Sequence, residues 1–455
     1  MENSRKSSSA DWLAAQLAHQ LPRHGSILVG LSGGVDSVVL LHLLCRLAPR
    51  HDWQISALHV HHGLSIHADS WAAFCRRLCT QLAVPLQVER VDTVPLREQG
   101  VEAAARKLRY RAFSAQDCDF IALAHHADDQ AETLLLQLLR GAGVRGASAM
   151  PVLSKQTARP QIVRPLLNCS RQAILDYADA HRLAWVEDES NDDDRYPRNF
   201  LRHQVLPLLA QRFPAYRETL TRGARHFAEA ATLLDELAQR DAECAIFGAT
   251  LDVAALRGLD QARAKNLLRY FMAGAGAPMP ALVKLDEGLR QLLSARDDAA
   301  VCVVFGGWQL RRYQNRAHLM PSLPDWDASL AVSWQGEETL AWSPLRRCVQ
   351  FLIADGAGIS LGRLRRAPVT LRLRRGGESI RPGRNSRLRT LKNLLQEQRI
   401  PPWQRARLPL LFCGDELVCV PGVVIAAEYQ ASVSEPGVQI SLGDCNSVHS
   451  IARIQ

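Results

Sequence analysis

The sequence lacks a long apolar segment. No stretch of its 455 residues approaches the ~20 consecutive apolar residues that a membrane-spanning helix needs. Residues 1–11 are polar and rich in serine, and they contain no apolar core of a secretion signal. We therefore expect a cytoplasmic protein without a membrane partner. The composition, 47% hydrophobic and 22% charged residues, is typical of folded domains and excludes a mostly disordered chain.

The eleven cysteines include no C-x-x-C pair. An odd number of cysteines without that spacing in a long chain argues against both a disulfide framework and a zinc site. Cys75 and Cys79 lie four residues apart on a predicted helix, a spacing that is typical of packing. We expect reduced and mostly buried thiols.

The first predicted strand-to-helix junction carries neither of two common phosphate-binding motifs, G-x-x-x-x-G-K-[ST] and G-x-G-x-x-G. In their place stands the hexapeptide Ser32-Gly33-Gly34-Val35-Asp36-Ser37. Glycines let the backbone approach an anion closely, and a helix N-terminus favours negative charge. The hexapeptide therefore predicts a phosphate-binding loop in which Asp36 holds Mg²⁺. The alternative is a tight Gly-Gly turn in which serine and aspartate only cap the helix.

The first 200 residues alternate between strand-like and helix-like segments. Apolar, β-branched runs predict strands at Ser26–Leu31, Gln54–Val60, Pro85–Val91 and Phe120–Ala124. The runs between and after them predict helices at about Asp36–Leu47, Ala68–Ala83, Val101–Gln116 and Asp129–Arg140. This alternation predicts an α/β fold with a doubly wound parallel sheet, in which ligands bind at the carboxyl ends of the strands.

Changes in pattern along the chain predict the domain organisation. Residues 1–215 form the predicted α/β domain, and residues 216–330 a mainly helical middle domain. Residues 331–360 are predicted as a linker, and residues 361–445 as a small basic α+β domain.

Positive charge is concentrated near the C-terminus. The chain carries a net charge of +9, yet residues 363–407 alone contain thirteen Arg, one Lys and two Glu, an excess of +12. Such clustering is typical of a surface that binds a phosphate backbone. A solvated, arginine-rich surface is the alternative.

Further polar motifs follow the predicted strands in order. They are His59–Leu64, Glu102–Tyr110, Ala124–Thr133, Leu139–Gly143, Arg164–Leu167, Glu187–Asn191 and Arg198–Arg202. Taken alone, Asp129-x-x-Glu132 is also a capping arrangement, and Arg106 and Arg109 are also what a solvated helix face would carry. His125 and His126 have no third ligand at a spacing suited to zinc.

Together with SGGVDS, this ordered set resembles the tRNA(Ile)-lysidine synthase family of the PP-loop ATP pyrophosphatase superfamily. The resemblance is dense over residues 20–210 and continues more thinly through RRGGESIRPGR, TLKNLLQE, IPPWQRARLP and VPGVVIAAEY. Two positions depart from the family pattern. His61 stands where Asn or Asp is more usual, and Ala142 stands where Ser is frequent.

The resemblance implies an adenine nucleotide hydrolase-like first domain and a two-step reaction with ATP and Mg²⁺ as cofactors. ATP would adenylate the wobble cytidine in the CAU anticodon of tRNA(Ile), and L-lysine would then displace AMP. The implied ATP-binding residues are Ser32, Gly33, Gly34, Val35, Asp36 and Ser37. The implied catalytic residues are Asp36, Arg106, His125, Asp129, Glu132 and Arg202. The implied tRNA-binding residues are Arg198, Arg374, Arg375, Arg381 and Arg384.

Individual roles follow from the same resemblance. Asp129 and Glu132 would bind a second metal ion or the ammonium group of lysine. Arg106, Arg198 and Arg202 would stabilise phosphate charge or grip RNA. The substitution Glu132→Gln is expected to abolish activity while it changes stability by less than ~1 kcal/mol.

Two other functions are left open. A PP-loop tRNA thiolase would typically use a cysteine pair, and the sequence offers no C-x-x-C. A non-catalytic RNA-binding protein would keep the basic C-terminal segment but would have no need of SGGVDS.

Overall fold

The structure is a computed structural model that describes residues 12–92, 101–154, 159–296, 299–383 and 385–444. The chain divides into two compact units, Met1–Glu236 and Leu237–Gln455. No helix within the described ranges is long and apolar enough to cross a membrane.

The first unit is built on a five-stranded parallel sheet. Its strands are β1 (Gly25–Gly30), β2 (Trp53–His61), β3 (Leu86–Arg90), β4 (Phe120–Ala122) and β5 (Gln161–Val163). They are arranged in the order β3-β2-β1-β4-β5. The chain thus adds strands to one side of β1 and then returns to the other side. The order reverses between β1 and β4, which is where doubly wound sheets bind their ligands.

The helices that begin in the first unit include those that cover both faces of this sheet. They are a helix over residues 12–20 (α1), α2 (Val35–His51), α3 (Ala68–Gln81), α4 (Val101–Ser114), α5 (Ala127–Leu139), α6 (Val144–Ala147), α7 (Arg171–Ala180), α8 (Pro197–Phe200), α9 (Leu206–Arg212) and α10 (Tyr216–Ala245). A π-helical turn, Leu201–Val205, joins α8 to α9. The predicted doubly wound parallel sheet is confirmed.

Two apolar cores lie on opposite faces of the sheet. Residues of α1, α2, α3 and α7 pack on one face, and α4 packs on the other. Gly30 lets α4 lie close, because a Cβ at that position would stand 2.8 Å from Leu123 and 2.9 Å from Phe113. Alternate residues of each strand therefore point into different cores.

The second unit begins with an antiparallel sheet. Its strands are β6 (Ile246–Phe247), β7 (Thr250–Asp252), β8 (Cys302–Phe305), β9 (Trp308–Tyr313) and β10 (Arg316–Pro321), in the order β6-β7-β10-β9-β8. Three helices share its core: α11 (Val253–Arg257), α12 (Gln261–Gly274) and α13 (Leu282–Ser294).

Two further sheets and a hairpin form the C-terminal part of this unit. The strands are β11 (Ala331–Trp334), β12 (Thr339–Trp342), β13 (Arg347–Asp355), β14 (Ile359–Ser360), β15 (Val369–Arg372), β16 (Ser379–Ile380), β17 (Arg389–Thr390), β18 (Leu410–Cys413), β19 (Glu416–Val420), β20 (Val424–Ile425) and β21 (Pro436–Asp444). The sheets have the orders β11-β15-β18-β19-β20 and β12-β13-β21-β14, and β16 pairs with β17. The helices are α14 (Leu361–Leu364), α15 (Leu391–Glu397) and α16 (Pro402–Arg405).

The segment 331–360, predicted as a linker, differs from that prediction. It contains four strands, and β11 and β13 pair along their whole length with β15 and β21 of the C-terminal sheets. These strands bury apolar residues such as Trp342 and Val349. The segment is therefore part of the C-terminal fold.

Nine of the cysteines that the structure describes are free. Cys75 and Cys79 are buried in the first core, as expected for packing residues. Cys348 is disulfide-bonded, so the expectation of reduced thiols is wrong at that residue.

Candidate active site

The loop Ser32–Ser37 joins β1 to α2 at the point where the strand order reverses. Its hydroxyl groups close the turn, since Ser37 Oγ donates to the Gly34 carbonyl at 2.9 Å and lies 3.1 Å from Ser32 Oγ. Gly34 is the N-cap of α2, and no side chain caps the helix there. The cap interpretation therefore fails for Asp36, whose carboxylate is left for another partner.

Gly33 holds the loop against a distant segment. Its φ is +94° and a Cβ there would lie 2.9 Å from Val186 Cγ2, while its carbonyl accepts a hydrogen bond of 3.0 Å from the Val186 N–H. Only glycine adopts this conformation without strain.

The substitution Gly33→Ala is expected to destabilise the protein by about 1–3 kcal/mol even without nucleotide, because of backbone strain and the contact with Val186. Gly34→Ala is the matched control, since Gly34 has φ −69° and a Cβ there meets only Ser32 Oγ at 3.5 Å. Urea unfolding of both variants measures the difference. Equal midpoints would contradict the strain argument.

Asp36 and Asp129 both lie near the same nitrogen of one buried imidazole. His126 Nε2 is 3.8 Å from Asp36 Oδ1 and 3.5 Å from Asp129 Oδ2. Burial raises the pKa of Asp36 above its ordinary value, despite the opposing effect of His126. Burial acts in the same direction on Asp129, but His126 and Arg198 outweigh it and hold the pKa of Asp129 below its ordinary value. Asp36 is thus the carboxylate that gains most from a bound cation.

Asp36 fits a magnesium ligand. Its Oδ1 atom is buried and has no hydrogen-bond partner among the residues described, which is costly unless a ligand satisfies it. In the same residues, no group of three or more His, Cys, Asp or Glu side chains is arranged as a metal site. Mg²⁺ needs no such cage, because it is usually held by one or two carboxylates together with substrate phosphates.

Glu132 is buried between two arginines, with 1% of its side chain exposed. Arg198 Nε donates to Oε2 at 2.7 Å, and Arg202 donates from Nε to Oε1 at 2.7 Å and from Nη2 to Oε2 at 3.0 Å. The Nη2 atoms of both arginines also lie 3.4 Å from Asp129 Oδ1. Glu132 therefore directs two guanidinium groups toward Asp129 through charge-assisted hydrogen bonds.

Asp129 has a second, local function as a helix cap. Helix α5 begins after the N-cap residue His126, whose N–H donates to Asp129 Oδ2 at 3.0 Å. The capping interpretation thus applies to one carboxylate oxygen of Asp129, while the other oxygen faces the two arginines. Glu132 bonds arginines instead of the helix N-terminus.

The sequence pattern did not single out Asp128, which anchors the site to two helices. Its Oδ2 accepts a hydrogen bond of 3.1 Å from the Arg171 N–H at the start of α7, and its Oδ1 pairs with Arg217 on α10. The signal available in the sequence was the adjacent pair of acids, Asp128-Asp129.

His125 and Arg106 lie on the α4 face of the sheet. Burial lowers the pKa of His125 to about 3, and the charges of Arg164, Arg198 and Arg106 act in the same direction. Its imidazole is therefore uncharged at neutral pH. Arg106 is exposed and stacks 5.0 Å from the ring centre of Tyr110.

His61, which departs from the family pattern, lies beside a carboxylate. Its Nε2 lies 3.2 Å from Asp69 Oδ1, and Arg90 Nη2 donates to the same oxygen at 2.6 Å. This pairing joins the ends of β2 and β3 to the first turn of α3. The departure from the family pattern is thus accommodated locally.

The predicted tRNA-binding arginines of the C-terminal segment differ in their surroundings. Arg374 lies 3.3 Å from Glu378, and Arg381 lies 3.4 Å from Glu428. Arg375 is exposed. Arg384 lies outside the described residues.

Part of the basic excess is used inside the fold. Arg407 is 7% exposed and donates to the carbonyls of Pro324 and Pro344. Arg405 donates to Tyr313 Oη at 2.7 Å. Other cationic side chains are exposed and make no ion pair with a described residue: Arg365, Arg366, Arg375, Arg387, Lys392 and Arg399.

The predicted residues of the first unit therefore converge at one edge of its sheet. Asp36, Asp129, Glu132, Arg198 and Arg202 form one connected group. His125 adjoins this group on the α4 side, where the Asp129 carboxylate acts on its imidazole.

Comparison with known proteins identifies the parts of the chain. A model of the PP-loop domain matches residues 7–209, and models of the TilS substrate binding domain and the TilS substrate C-terminal domain match residues 251–318 and 369–442. All three matches follow the order expected from the resemblance in sequence.

Curated relatives extend the similarity to nearly the whole chain. The tRNA(Ile)-lysidine synthase of Nitrosomonas europaea is 45% identical over 419 residues, which cover 91% of this chain and 91% of that protein. The enzymes of Coxiella burnetii and an Azoarcus species are 37% and 44% identical and cover 93% and 90% of this chain, and 94% and 89% of their own lengths. Similarity of this degree shows that the chain belongs to the tRNA(Ile)-lysidine synthase family.

Proposed function

We propose that this chain catalyses the ATP-dependent ligation of L-lysine to the wobble cytidine in the CAU anticodon of tRNA(Ile), with release of pyrophosphate and AMP. The observation that carries the proposal is the position of the Ser32–Ser37 loop at the reversal point of a parallel sheet, where its Asp36 and the nearby Asp129 both approach His126. Phosphate-binding backbone, a cation ligand and a charged carboxylate thus lie within reach of one bound substrate.

In the first step, the exocyclic oxygen of the cytidine attacks the α-phosphorus of ATP, and the bond to pyrophosphate breaks. The N–H groups at the start of α2 stabilise the charge that develops on the leaving pyrophosphate. Asp36 is the proposed Mg²⁺ ligand, and the bound ion would neutralise part of that phosphate charge. Arg202 and Arg198, directed by Glu132, supply further positive charge.

In the second step, the ε-amino group of lysine attacks the activated ring carbon, and AMP leaves with the former exocyclic oxygen. An attacking amine must be neutral, so its ammonium proton is lost first. Asp129 is charged and suits an ammonium group. The His126 imidazole, 3.5 Å from Asp129 Oδ2, is the proton acceptor that we propose.

We also propose the division of labour along the chain. Residues 1–215 form the catalytic domain, and residues 216–330 form a tRNA-contacting middle domain. The basic C-terminal domain begins near residue 331, because β11 belongs to its sheet.

The cysteine pair of the first core, Cys75 and Cys79, gives no support to a sulfur-transfer function. Burial raises the pKa of Cys75 to about 12 and that of Cys79 to about 11, so neither forms a thiolate readily. Lysidine formation therefore remains the proposal that the site supports best.

The test is a reaction of the full chain with ATP, L-lysine and an unmodified tRNA(Ile) transcript. We expect AMP, pyrophosphate and a lysine adduct at the wobble base, found by mass spectrometry of nuclease digests. Omission of any one substrate should abolish the adduct. A requirement for a sulfur donor in place of lysine would replace this proposal by thiolation.

The exposed cations around the β16–β17 hairpin are expected to contribute to tRNA binding through counterion release. Replacing Arg375, Arg387 and Lys392 with alanine should weaken binding and flatten the slope of log affinity against log salt concentration by about 2–3 units. Non-cognate tRNAs should lose affinity by a similar factor, since phosphate contacts position the RNA without reading it.

The control removes the same charge elsewhere, in the variant Arg23→Ala, Arg50→Ala, Arg77→Ala, whose three arginines are exposed on the first unit. Filter binding at several salt concentrations compares the two. A hairpin variant with the parent's slope would show that this surface is only solvated.

A further inference from the structure

On the α4 side of the site, four buried polar atoms lack a hydrogen-bond partner among the described residues. They are both ring nitrogens of His62, Nδ1 of His125 and Nε of Arg164, and none makes a hydrogen bond with a residue that the structure describes. Buried polar groups in proteins are nearly always hydrogen-bonded. Several such atoms at the edge of a binding site indicate a ligand that supplies the missing hydrogen bonds.

The alternation of side chains along parallel strands places these three residues on the α4 side of the sheet, at the ends of β2, β4 and β5. The residue two positions before each of them lies in the apolar core beneath α4. His62, His125 and Arg164 therefore continue that core beyond the carboxyl ends of β2, β4 and β5. The same alternation turns their neighbours, such as Val163, toward the core on the opposite face of the sheet.

Side chains of helix α4 interact with each of the three residues. Arg106, Arg109 and Tyr110 share one face of it, at the spacing i, i+3, i+4. Tyr110 Oη accepts from Arg106 Nη2 at 3.3 Å and from Arg164 Nη2 at 3.5 Å. The pKa of His62 is lowered mainly by burial, and the charge of Arg109 is the next largest cause. The rim of the pocket is thus basic.

The interior of the pocket is polar but contains uncharged imidazoles. Burial lowers the pKa of His62 to about 4 and that of His125 to about 3, so each ring offers one hydrogen-bond donor and one acceptor at neutral pH. Arg164 is 6% exposed and adds donors. A base edge presents matching donors and acceptors, and the phosphate of its nucleotide suits Arg106 and Arg109.

The positive charge of the pocket and the position of the loop also argue against lysine and ATP as its ligands. The three arginines repel the ammonium group of lysine, for which Asp129 is better placed. The phosphates of ATP already have the loop Ser32–Ser37 on the other face. We propose that His62, His125 and Arg164 form the pocket that holds the target nucleotide and reads the edge of its base, an inference that rests on the proposed function.

The test uses the full-length variant His62→Leu in the lysidine assay with saturating ATP and lysine. We expect kcat/KM for the tRNA transcript to fall by about 10–100-fold, the size of a lost base contact, with KM for ATP and lysine unchanged. The preference for a transcript with C at the wobble position over one with U should also shrink. The melting temperature should equal or exceed the parent's, because two open polar atoms are removed from the interior.

The matched control is His42→Leu. His42 is also a half-buried histidine with a pKa lowered to about 4 by burial, but it lies on the opposite face and its Nδ1 is 2.9 Å from Tyr177 Oη. It should lower the melting temperature and leave tRNA kinetics unchanged.

Several results would overturn the assignment of the pocket. Parent-like tRNA kinetics and base preference in His62→Leu would do so, as would a rise in KM confined to ATP or lysine. If His62→Leu does not fold, Arg164→Gln is assayed in the same way and an unchanged base preference counts equally against the pocket. A parent enzyme that forms no lysidine would instead refute the proposed function.

Discussion

Replacing Asp36 with alanine is expected to lower kcat for lysidine formation by about 10²–10³-fold. The side chain stands at the phosphate-binding loop, and its buried Oδ1 has no partner among the described residues. If Asp36 holds the cation on the leaving pyrophosphate, its loss removes an interaction that matters most in the transition state. The fold should survive, because burial of this carboxylate costs free energy and its pKa is raised accordingly.

Steady-state kinetics and a urea melt of the same preparation measure both effects. Asp179→Ala, which removes an exposed carboxylate from α7, serves as the control and should match the parent in both. Near-normal turnover of Asp36→Ala would remove Asp36 from the mechanism. A large loss of stability would assign it a structural function.

The substitution Glu132→Gln is expected to abolish most activity and also to destabilise the protein by about 2–4 kcal/mol. The sequence alone predicted a change below ~1 kcal/mol, because glutamine keeps the shape of the side chain and any hydrogen bond that caps the helix. In the structure, its carboxylate neutralises Arg198 and Arg202, whose side chains are only 24% and 26% exposed. Removal of the negative charge leaves two guanidinium groups close together, with Asp129 as the carboxylate that still faces both.

The measurement is again a melt beside a kinetic assay, with Glu229→Gln on α10 as the control, since Glu229 is exposed. We expect the control to stay within about 0.5 kcal/mol of the parent. A stable but inactive Glu132→Gln would mean that the charge serves a substrate directly. A stable and active variant would contradict both functions.

The order and type of the elements in the first unit could be predicted because its central strands, such as β1 and β4, are buried on both faces. Such strands read as continuous apolar runs, and β1 to β4 follow the predicted runs closely. The fifth strand, Gln161–Val163, was not predicted, since three residues give no usable periodicity. The strands between residues 331 and 360 were not predicted either, since their pairing with β15 and β21 is visible only in three dimensions.

The components of the site were predictable, but their pairing was not. The hexapeptide and the Asp129–Glu132 motif can be recognised in the sequence from their residue spacing. The contact of Glu132 with Arg198 and Arg202, by contrast, joins positions 66 and 70 residues apart. Nor does the charge of the C-terminal segment reveal that Arg407 is buried and bonded to carbonyl groups. The number of arginines indicates how many side chains could bind RNA, but the fold determines which of them are exposed to do so.

The hydrogen bond from Val186 to Gly33 also has a consequence for synthesis of the chain on the ribosome. The phosphate-binding loop is among the first parts to emerge, yet the segment that fixes its conformation follows about 150 residues later. A nascent chain that ends before Val186 has all five strands of the sheet but lacks the hydrogen bond from Val186 to Gly33. If the loop binds the triphosphate as proposed, its full affinity for ATP is reached only after Val186 has been synthesised, and a truncated translation product should compete poorly for ATP.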